Sequence, residues 1–383
     1  MYYIMNPFYM LIGLSNQRML GRTSGYCRQS NDYSLGCALG VPNLTPPNPC
    51  PSIDFSSLNG TILVVGGCGY VGSNAISFFY NNCPNVKLVS MDNLSGVGAA
   101  ETNIPLSIRS DTNRYTFVQA SMQDSVAVTN ILSANYFGSN KIDTIIHLAA
   151  YLPWQPGLDL DDFVQNNVTN TRAFLDACEP FCISGQVKHI IYQNTMMSYI
   201  CAGNSIGTNP YINLDYINSD YAISKSWAAS LMLNYSKTMP ISTVFPGHVF
   251  GGINQHQYDL FYLVQNTITA GQKVQLPIKY TTHYDAWIHV DDLSKWYGIL
   301  LLEGANYKKV RLVNPTQRFT TYDTVSKIIR QLTGTSNPDN YITFTSGEIT
   351  LPLINDFTVN GDMNLCYVPA LTLDAEIASM PLP

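Results

Sequence analysis

Charged side chains are scarce in this sequence. Lysine, arginine, aspartate and glutamate together make up 12% of its 383 residues, about half of the ~25% found in ordinary globular domains. The formal net charge is −6, and lysine and arginine form no cluster. Nucleic acid is therefore excluded as the main partner, because phosphate contacts need clustered cations. A weakly charged surface fits either burial in a larger assembly or a biased genome composition, and both interpretations stay open.

Long apolar runs and paired cysteines are also missing. No apolar stretch reaches the ~18 residues that a membrane-spanning helix needs, so the sequence predicts no transmembrane span. The nine cysteines contain no C-x-x-C pair and no zinc-like spacing, so no metal site is predicted. Cys68 lies within a glycine-rich turn and Cys83 near a predicted helix end, positions that suit reduced thiols in a cytosol-like compartment.

Residues 1–57 do not share the pattern of the rest of the chain. The first 50 residues hold three arginines, no lysine, no glutamate and a single acid, Asp32. Arginine without acid is typical of an organellar transit segment; the other interpretation is an extended arm that packs on a partner or on the chain's own surface. The prolines from Pro42 to Pro51 predict a stiff linker. The compartment, mitochondrial or cytoplasmic, stays open.

A strand followed at once by spaced glycines is the central motif. Thr61–Val65 reads as a strand buried on both faces, and Gly66, Gly69 and Gly72 precede apolar residues at helical intervals over Val71–Phe79. The first glycine permits a tight turn, the second lets the backbone approach a pyrophosphate, and the third lets the helix lie close to the strand. The helix N-terminus then offers N–H groups and the positive end of a dipole to an anion.

A second apolar strand runs from Val86 to Met91 and ends at Asp92. A carboxylate at this point can accept hydrogen bonds from the hydroxyl groups of an adenosine ribose. A glycine triplet alone would be weak evidence, but strand, glycines, helix, strand and acid occur here in the order of a dinucleotide-binding unit. The sequence therefore predicts a dinucleotide site.

Strands and helices alternate through the rest of the chain. After a polar loop that reaches Arg114, the predicted strands are Tyr115–Gln119, Thr144–His147, Lys188–Tyr192 and Ile241–Phe245, and the predicted helices are Asp124–Ala134, Asp161–Glu179 and one that carries Tyr221 and ends near Lys237. This alternation predicts an α/β fold with a doubly wound parallel sheet. We assign residues 58–245 to this nucleotide-binding domain, 287–315 to the completion of its sheet, and 246–286 with 316–383 to a small substrate-side domain.

Tyr221 and Lys225 form a candidate catalytic pair. Residues four apart share one face of a helix, and a nearby positive charge favours the phenolate and lowers the pKa of a tyrosine from its ordinary ~10. The hydroxyl of Thr195, just after a strand, could orient a substrate oxygen for hydride exchange. Taken alone, this spacing in a chain with 25 tyrosines is more often an exposed helix face, so the catalytic interpretation depends on the other motifs of the chain.

These other motifs occur in the order and spacing of a known family. They are VVGGCGYVGS at 64–73, MDNLSG at 91–96, HLAAY at 147–151, NNVTNT at 166–171, the Tyr221/Lys225 pair, PGHVFGG at 246–252 and WIHVDDL at 287–293. Over residues 59–335 the chain resembles the extended short-chain dehydrogenase/reductase family, in its NAD-dependent epimerase/dehydratase branch. The resemblance implies a Rossmann fold and an oxidoreductase or epimerase that acts on a hydroxyl or keto group, with a sugar nucleotide as the first candidate substrate.

The resemblance also implies the roles of individual residues. It assigns catalysis to Thr195, Tyr221 and Lys225. It places the cofactor against Gly66, Gly69, Tyr70, Val71 and Gly72 at the pyrophosphate, Asp92 and Asn93 at the ribose, Ser121 and Met122 at the adenine, Ala149, Ala150 and Tyr151 at the nicotinamide, and Pro246 and His248 beside nicotinamide and substrate. Asp92 implies NAD rather than NADP, because a carboxylate repels a 2′-phosphate.

Several positions depart from the family pattern. Met196 and Met197 follow Thr195 where the 4,6-dehydratases have an Asp-Glu pair, which disfavours dehydration because thioethers do no acid–base work. Asp285 and Phe245 stand where nucleotide-sugar enzymes of the family have arginines for the diphosphate. These losses weaken the case for a nucleotide sugar and make a sterol-like or other apolar alcohol the next candidate. The family's Asp before Met122 is also missing, since Ser121 stands there.

Two histidines and two aspartates in these segments are given structural roles. His147 and His289 are expected to be hydrogen-bonded core histidines rather than catalytic ones. Asp291 and Asp292 are expected to cap a helix that begins at Leu293.

A second hypothesis belongs to a different class of protein. The NAD(P)H-binding accessory subunit of mitochondrial respiratory complex I resembles this fold, and the low charge, the N-terminal arm and the missing arginines fit a non-catalytic subunit. The intact Tyr221/Lys225 pair opposes it. An enzyme would have a small-molecule substrate and form a homo-oligomer, whereas an accessory subunit would bind protein subunits of a large complex.

Overall fold

The computed structural model describes residues 53–153, 155, 157–195, 220–255, 260–277, 284–305, 309–312, 318–345 and 371–380. The predictions for the N-terminal extension up to residue 52, and for Met196 and Met197, lie outside these residues. Within the described ranges, no helix has both the length and the apolar character that crossing a membrane requires.

The strands and helices follow the predicted alternation. The strands are β1 (Asn59–Val65), β2 (Asn85–Asp92), β3 (Tyr115–Gln119), β4 (Thr144–His147), β5 (His189–Gln193), β6 (Ile241–Pro246), β7 (His248–Phe250), β8 (Val274–Pro277), β9 (Tyr284–His289), β10 (Lys309–Leu312), β11 (Arg318–Thr320) and β12 (Ile342–Thr345). The helices are α1 (Tyr70–Asn82), α2 (Leu106–Arg109), α3 (Ser125–Ser133), α4 (Leu160–Val164), α5 (Thr171–Ile183), α6 (Asp220–Tyr235), α7 (Leu260–Thr269), α8 (Val290–Glu303), α9 (Thr321–Thr333) and α10 (Leu373–Ser379).

A parallel sheet of seven strands forms the centre of the fold, in the order β10-β6-β5-β4-β1-β2-β3. The predicted doubly wound parallel sheet is therefore confirmed. Successive strands step away from β1 in one direction up to β3, and β4 then returns to the other side of β1. The carboxyl ends of β1 and β4 diverge at this reversal, which is where open α/β sheets bind ligands.

β1 is buried on both faces because its residues alternate between two apolar layers. Ile62 and Val64 pack with the core formed by α1 and α8, whereas Leu63 and Val65 pack with the core of α3, α5 and α6. The run of β-branched and leucine residues predicted a strand buried on both faces, and β1 is such a strand because helices cover the sheet on each side.

Three local predictions were wrong in detail. The predicted polar loop after Asp92 contains the short helix α2, which buries Ile108, and Ile104 just before it is buried as well. The predicted helix Asp161–Glu179 is interrupted by a π-helical turn at Gln165–Asn170. The helix that starts in the WIHVDDL segment, α8, begins at Val290 instead of Leu293. His289 caps it, because Nδ1 of His289 accepts a hydrogen bond from the backbone N–H of Asp291 at 3.1 Å.

Asp292, expected as a helix cap, has a different structural role. Its side chain is completely buried and accepts hydrogen bonds from Lys295 at 3.1 Å and from the backbone N–H of Leu371 at 3.0 Å. The carboxylate therefore ties the segment that leads into α10 to α8.

The part of the chain predicted to form the small substrate-side domain, the substrate-side part, has an apolar core of its own. β9 belongs to this part, so the prediction that residues from 287 onward complete the central sheet was wrong for 287–289. β7, β9 and β11 form one small sheet, and β8 and β12 form another. The side chains of Phe250, Phe261, Trp287 and Ile328 are buried together in this core.

A loop after β7 lies over the start of α1. The hydroxyl of Tyr70 donates to the carbonyl of Gly251 at 2.6 Å, and Asn74 exchanges hydrogen bonds with the backbone of Ile253 at 2.7 and 3.1 Å. These contacts fix the substrate-side part beside the glycine turn.

Candidate active site

A cleft opens at the carboxyl ends of β1 and β4. It is lined by Val65, Gly66, Gly69, Tyr70, Val71, Gly72, Met91, Asp92, Asn93, Ser95, Gly96, Val97, Ala99, Ala120, Met122, Leu148, Ala149, Ala150, Tyr151, Leu152, Gln155, Asn166 and Gln193. In the described part of the chain no group of three His, Cys, Asp or Glu side chains could hold a metal ion.

The glycine turn is packed too closely for side chains. Gly66 has a left-handed φ of +79°, and a Cβ there would lie 2.7 Å from the backbone nitrogen of Ala149. A Cβ on Gly72 would lie 2.2 Å from the carbonyl oxygen of Gly66. Gly69 is the N-cap of α1, and the first turn of α1 carries no acidic side chain. The positive end of the helix dipole therefore faces the cleft without a carboxylate of its own.

Asp92 closes the other side of the cleft. Its carboxylate is 8% exposed and accepts hydrogen bonds from the backbone N–H groups of Cys68 at 3.0 Å and Leu94 at 2.8 Å. Burial raises the pKa of Asp92 above its ordinary value, although the backbone hydrogen bonds oppose this shift. The two bonds hold the carboxylate at the end of β2, with acceptor capacity left for ribose hydroxyls. The residues present thus fit a dinucleotide: a bare backbone turn for phosphates, and an oriented acceptor for the ribose.

We expect Asp92→Asn to weaken NADH binding by about 10- to 100-fold, because one charge-assisted hydrogen bond is worth ~1.5–3 kcal/mol. NADPH binding should change less, since a repulsive charge is removed at the same time. Fluorescence titration of both cofactors measures the two affinities. Asp124→Asn is the control, because Asp124 caps α3 on an exposed surface and asparagine caps equally well. An unchanged NADH affinity in Asp92→Asn would contradict the role of the carboxylate.

Most of the predicted cofactor residues meet in this one cleft. Those that line it are Gly66, Gly69, Tyr70, Val71, Gly72, Asp92, Asn93, Met122, Ala149, Ala150 and Tyr151. Ser121, Pro246 and His248 lie outside the lining: Ser121 is half-buried beside Met122, Pro246 is buried at the end of β6, and the His248 ring lies 4.1 Å from the Trp287 ring.

Of the predicted catalytic residues, Tyr221 and Lys225 are buried in the first turns of α6, and Thr195 is half-buried just after β5. Tyr221 is 7% exposed and Lys225 is 2% exposed, and the side chain of Thr195 lies close enough to Tyr221 to lower the pKa of its phenol against the effect of burial. Nζ of Lys225 donates to the hydroxyl of Tyr192 at 3.2 Å and to the backbone carbonyl of Gln193 at 2.9 Å. Gln193 itself lines the cleft, so the group lies directly behind the cleft wall.

The prediction that the pKa of Tyr221 lies below its ordinary value was wrong. Burial raises the pKa of Tyr221 above its ordinary value, and the hydrogen bond with Thr195 opposes that rise only in part. Burial also lowers the pKa of Lys225 to about 7. The sequence indicated two neighbouring residues on one helix, but it contained no measure of how deeply the fold buries them.

Gln193 and Asn167 are site residues that the sequence reasoning missed. Oε1 of Gln193 accepts a hydrogen bond from the hydroxyl of the buried Tyr297. Asn167 lies in the π-helical turn, where Oδ1 accepts from the backbone N–H of Tyr151 at 2.7 Å and Nδ2 donates to Ser224 at 3.0 Å. The NNVTNT segment was a signal for Asn167, but only the π-turn shows that this side chain points inward.

His147 is buried as expected but is not hydrogen-bonded as expected. Its ring lies 5.1 Å from that of Phe174 and 5.2 Å from that of Tyr192, and neither ring nitrogen has a hydrogen-bond partner within the described ranges. Burial, with a smaller contribution from Lys225, lowers the pKa of His147 to about 3. The ring is therefore neutral at physiological pH.

The strand order, the glycine turn at the sheet reversal and the acid ending the next strand define a Rossmann-type dinucleotide-binding protein. The profile of the NAD dependent epimerase/dehydratase family matches residues 62–314. The chain belongs to that family and is accordingly an NAD-dependent enzyme.

Curated relatives and solved structures agree with this assignment. CDP-paratose 2-epimerase of Salmonella typhi is 26% identical over 272 residues, which cover 65% of this chain and 76% of the relative. dTDP-D-glucose 4,6-dehydratase of Dictyostelium discoideum is 24% identical over 260 residues, covering 63% of this chain and 56% of the relative. The chain thus spans little more than half the length of the second relative.

Two solved structures share the fold. DesIV, a dTDP-glucose 4,6-dehydratase from Streptomyces venezuelae with NAD and TYD bound, superposes with a TM-score of 0.68 at 19% identity, over 83% of this chain and 94% of that one. UDP-glucuronic acid 4-epimerase from Bacillus cereus, in complex with UDP-glucuronic acid and NAD, gives 0.67 at 20% identity, over 83% and 96%.

These findings decide between the two hypotheses drawn from the sequence. The resemblance to the extended dehydrogenase/reductase family and the choice of NAD are confirmed. The accessory-subunit alternative is wrong, because the family and the relatives named above are epimerases and dehydratases. The mitochondrial location finds no support, and the oligomeric state stays a prediction.

Proposed function

We propose that this enzyme is an epimerase or related oxidoreductase that oxidises and re-reduces one carbon of a nucleotide-linked sugar. The observation that carries the proposal is the position of Tyr221, close to Thr195 and one helical turn before Lys225, behind the wall of the dinucleotide cleft. An acid–base residue in such a position can exchange a proton with a hydroxyl group while NAD, when bound, accepts or returns the hydride.

Each side chain would have a distinct task. Tyr221, as its phenolate, would take the proton from the substrate hydroxyl, and the phenol so formed would return the proton in the reverse step. The hydroxyl of Thr195 would orient the same substrate oxygen. Lys225 would donate to a ribose hydroxyl of the cofactor, and the burial of Tyr221 and Lys225 would keep water from competing for their hydrogen bonds.

Epimerisation is favoured over dehydration by the residues that follow Thr195. Removal of water from a sugar needs an acid and a base, and Met196 and Met197 supply neither. The nucleotide-sugar substrate class is inferred from the names of the relatives. Phe245, in place of a family arginine, is 1% exposed within β6, so the diphosphate would have to be held by other residues of the substrate-side part.

The test is incubation of the purified protein and NAD with a panel of CDP-, dTDP- and UDP-linked hexoses. We expect one of them to change configuration at a single sugar carbon, detected by proton NMR, with no loss of water from its mass. A Tyr221→Phe sample treated identically is the control. A product lighter by one water would contradict the choice of epimerisation, and no conversion of any nucleotide sugar would contradict the substrate class.

A further inference from the structure

Tyr192 is a fully buried residue in the middle of the parallel sheet. It is 1% exposed and lies on β5, in register with His147 on β4 and Thr243 on β6. Because both neighbouring strands are hydrogen-bonded to β5, the backbone at Tyr192 has little freedom to move. Its side chain points toward α6, where it meets Lys225.

Both described acceptors for the Lys225 ammonium group belong to β5. The hydroxyl oxygen of Tyr192 lies 3.2 Å from Nζ, and the backbone carbonyl of Gln193 lies 2.9 Å from it. The depth at which the ammonium group sits behind the cleft is therefore set by the sheet and not by the lysine's own helix. Asn194 strengthens this attachment, because its Nδ2 donates to the backbone carbonyl of Lys225 at 2.9 Å.

We propose that Tyr192 is the positioning residue of Lys225: its phenol oxygen accepts a hydrogen bond from the ammonium group, holds Nζ behind the nicotinamide end of the cleft and stabilises its positive charge. This inference rests on the proposed function, in which Lys225 binds a ribose hydroxyl of the cofactor. Tyr192 does not line the cleft and would act only through Lys225.

The titratable groups around Lys225 allow the effect to be observed separately. The described groups that face it are Tyr192 on β5, His147 on β4 and Tyr221 on α6. Burial raises the pKa of both tyrosines and lowers that of His147 to about 3, so all three are neutral near pH 7. The other charged residues of α4, α5 and α6 are exposed, apart from the half-buried Glu179; the exposed ones are Asp161, Asp162, Arg172, Asp176 and Asp220.

Lys225 is thus the member of this cluster that changes charge near neutral pH. Burial lowers the pKa of Lys225 to about 7, so the positive charge is present below that pH and is lost as the pH rises through it. Removing an acceptor of the ammonium group destabilises the charged form and lowers this pKa further. The loss of a hydrogen bond to a charged donor corresponds to a shift of about 1 to 2 pH units.

The experiment is NADH titration as a function of pH with Tyr192→Phe, which keeps the ring and removes the hydroxyl. We expect the pH at which NADH binding weakens to fall by about 1 to 2 units, while affinity at the acid end of the range stays within about twofold. Tyr235→Phe is the control. Tyr235 lies on α6, the helix of Lys225, but its hydroxyl contacts the exposed Asp176 and not the lysine. An unchanged midpoint, or an equal loss of affinity at every pH, would overturn the proposal.

A double-mutant cycle gives an independent measurement. In a Lys225→Met background, Tyr192→Phe should have no further effect on NADH affinity, because the residue acts through the lysine. Additive effects would overturn the proposal. If Tyr192→Phe does not fold, Lys225→Met is measured alone. If the pH at which NADH binding weakens is the same in Lys225→Met as in wild type, that midpoint belongs to another group and the inference is contradicted. These titrations use NADH alone. The proposed function is tested separately, by nucleotide-sugar turnover and its loss in Tyr221→Phe, so the two proposals can fail independently.

Discussion

Replacing Tyr221 by phenylalanine is expected to lower kcat by about 10²- to 10⁴-fold, the range for loss of a general acid–base group. The substitution removes the hydroxyl that meets Thr195 but keeps the buried ring, which packs edge-on against Phe163 with centroids 6.1 Å apart. NADH affinity and the melting temperature should therefore change little. Steady-state kinetics on the nucleotide sugar identified by the substrate panel, with NADH titration in parallel, measure both quantities.

Tyr235→Phe serves as the control for this experiment as well, since Tyr235 lies at the far end of α6. Its kcat should stay within about twofold of the wild-type value, as expected for a surface substitution. A Tyr221→Phe enzyme that retains a tenth or more of wild-type kcat would remove Tyr221 from the chemistry, and the proposed mechanism would be wrong.

Replacing Gly72 by alanine is expected to destabilise the fold by about 3 kcal/mol or more, the upper range for an overpacked core. The new Cβ would lie 2.2 Å from the carbonyl oxygen of Gly66 and 2.7 Å from Cα of Gly67. Both are backbone atoms of the glycine turn, so relief requires α1 to move away from β1. Urea unfolding of wild type and variant measures the loss of unfolding free energy.

Gly69→Ala is the matched comparison within the same turn. Gly69 has a φ of −78°, which alanine adopts without strain, and its Cβ would lie 3.5 Å from the nearest atom, the carbonyl oxygen of Gly66. Stability should stay within about 1 kcal/mol of wild type, while NADH affinity falls because the methyl group occupies the approach to the pyrophosphate. If Gly72→Ala were as stable as Gly69→Ala, the close contact between helix and turn would not exist in solution.

The central sheet could be predicted because its signals are local. A run such as Thr61–Val65 is apolar in every residue only when both faces are covered, and the glycines that follow it restrict the next turn to a few shapes. The boundaries of helices depended on distant partners. Nothing near Leu293 in the sequence shows that the ring of His289 accepts from the backbone and so moves the helix start to Val290.

The part of the candidate site whose residues belong to recognisable sequence motifs could be predicted. Asp92 and the glycines follow strands, so their meeting at one sheet edge follows from the parallel arrangement. The contacts of Lys225 could not be predicted in the same way, because Tyr192 lies more than thirty residues before it and meets it only through the packing of α6 on β5. The predicted direction of the Tyr221 pKa failed for the same reason, since burial outweighed the effect of the nearby charge that the spacing indicates.

The most direct test of the whole account is calorimetric titration of the purified protein with NADH. We expect one site per chain, with affinity reduced by both Gly69→Ala and Asp92→Asn while each variant stays folded. Absence of binding, or binding that neither substitution changes, would show that the cleft between the glycine turn and Asp92 does not hold the cofactor.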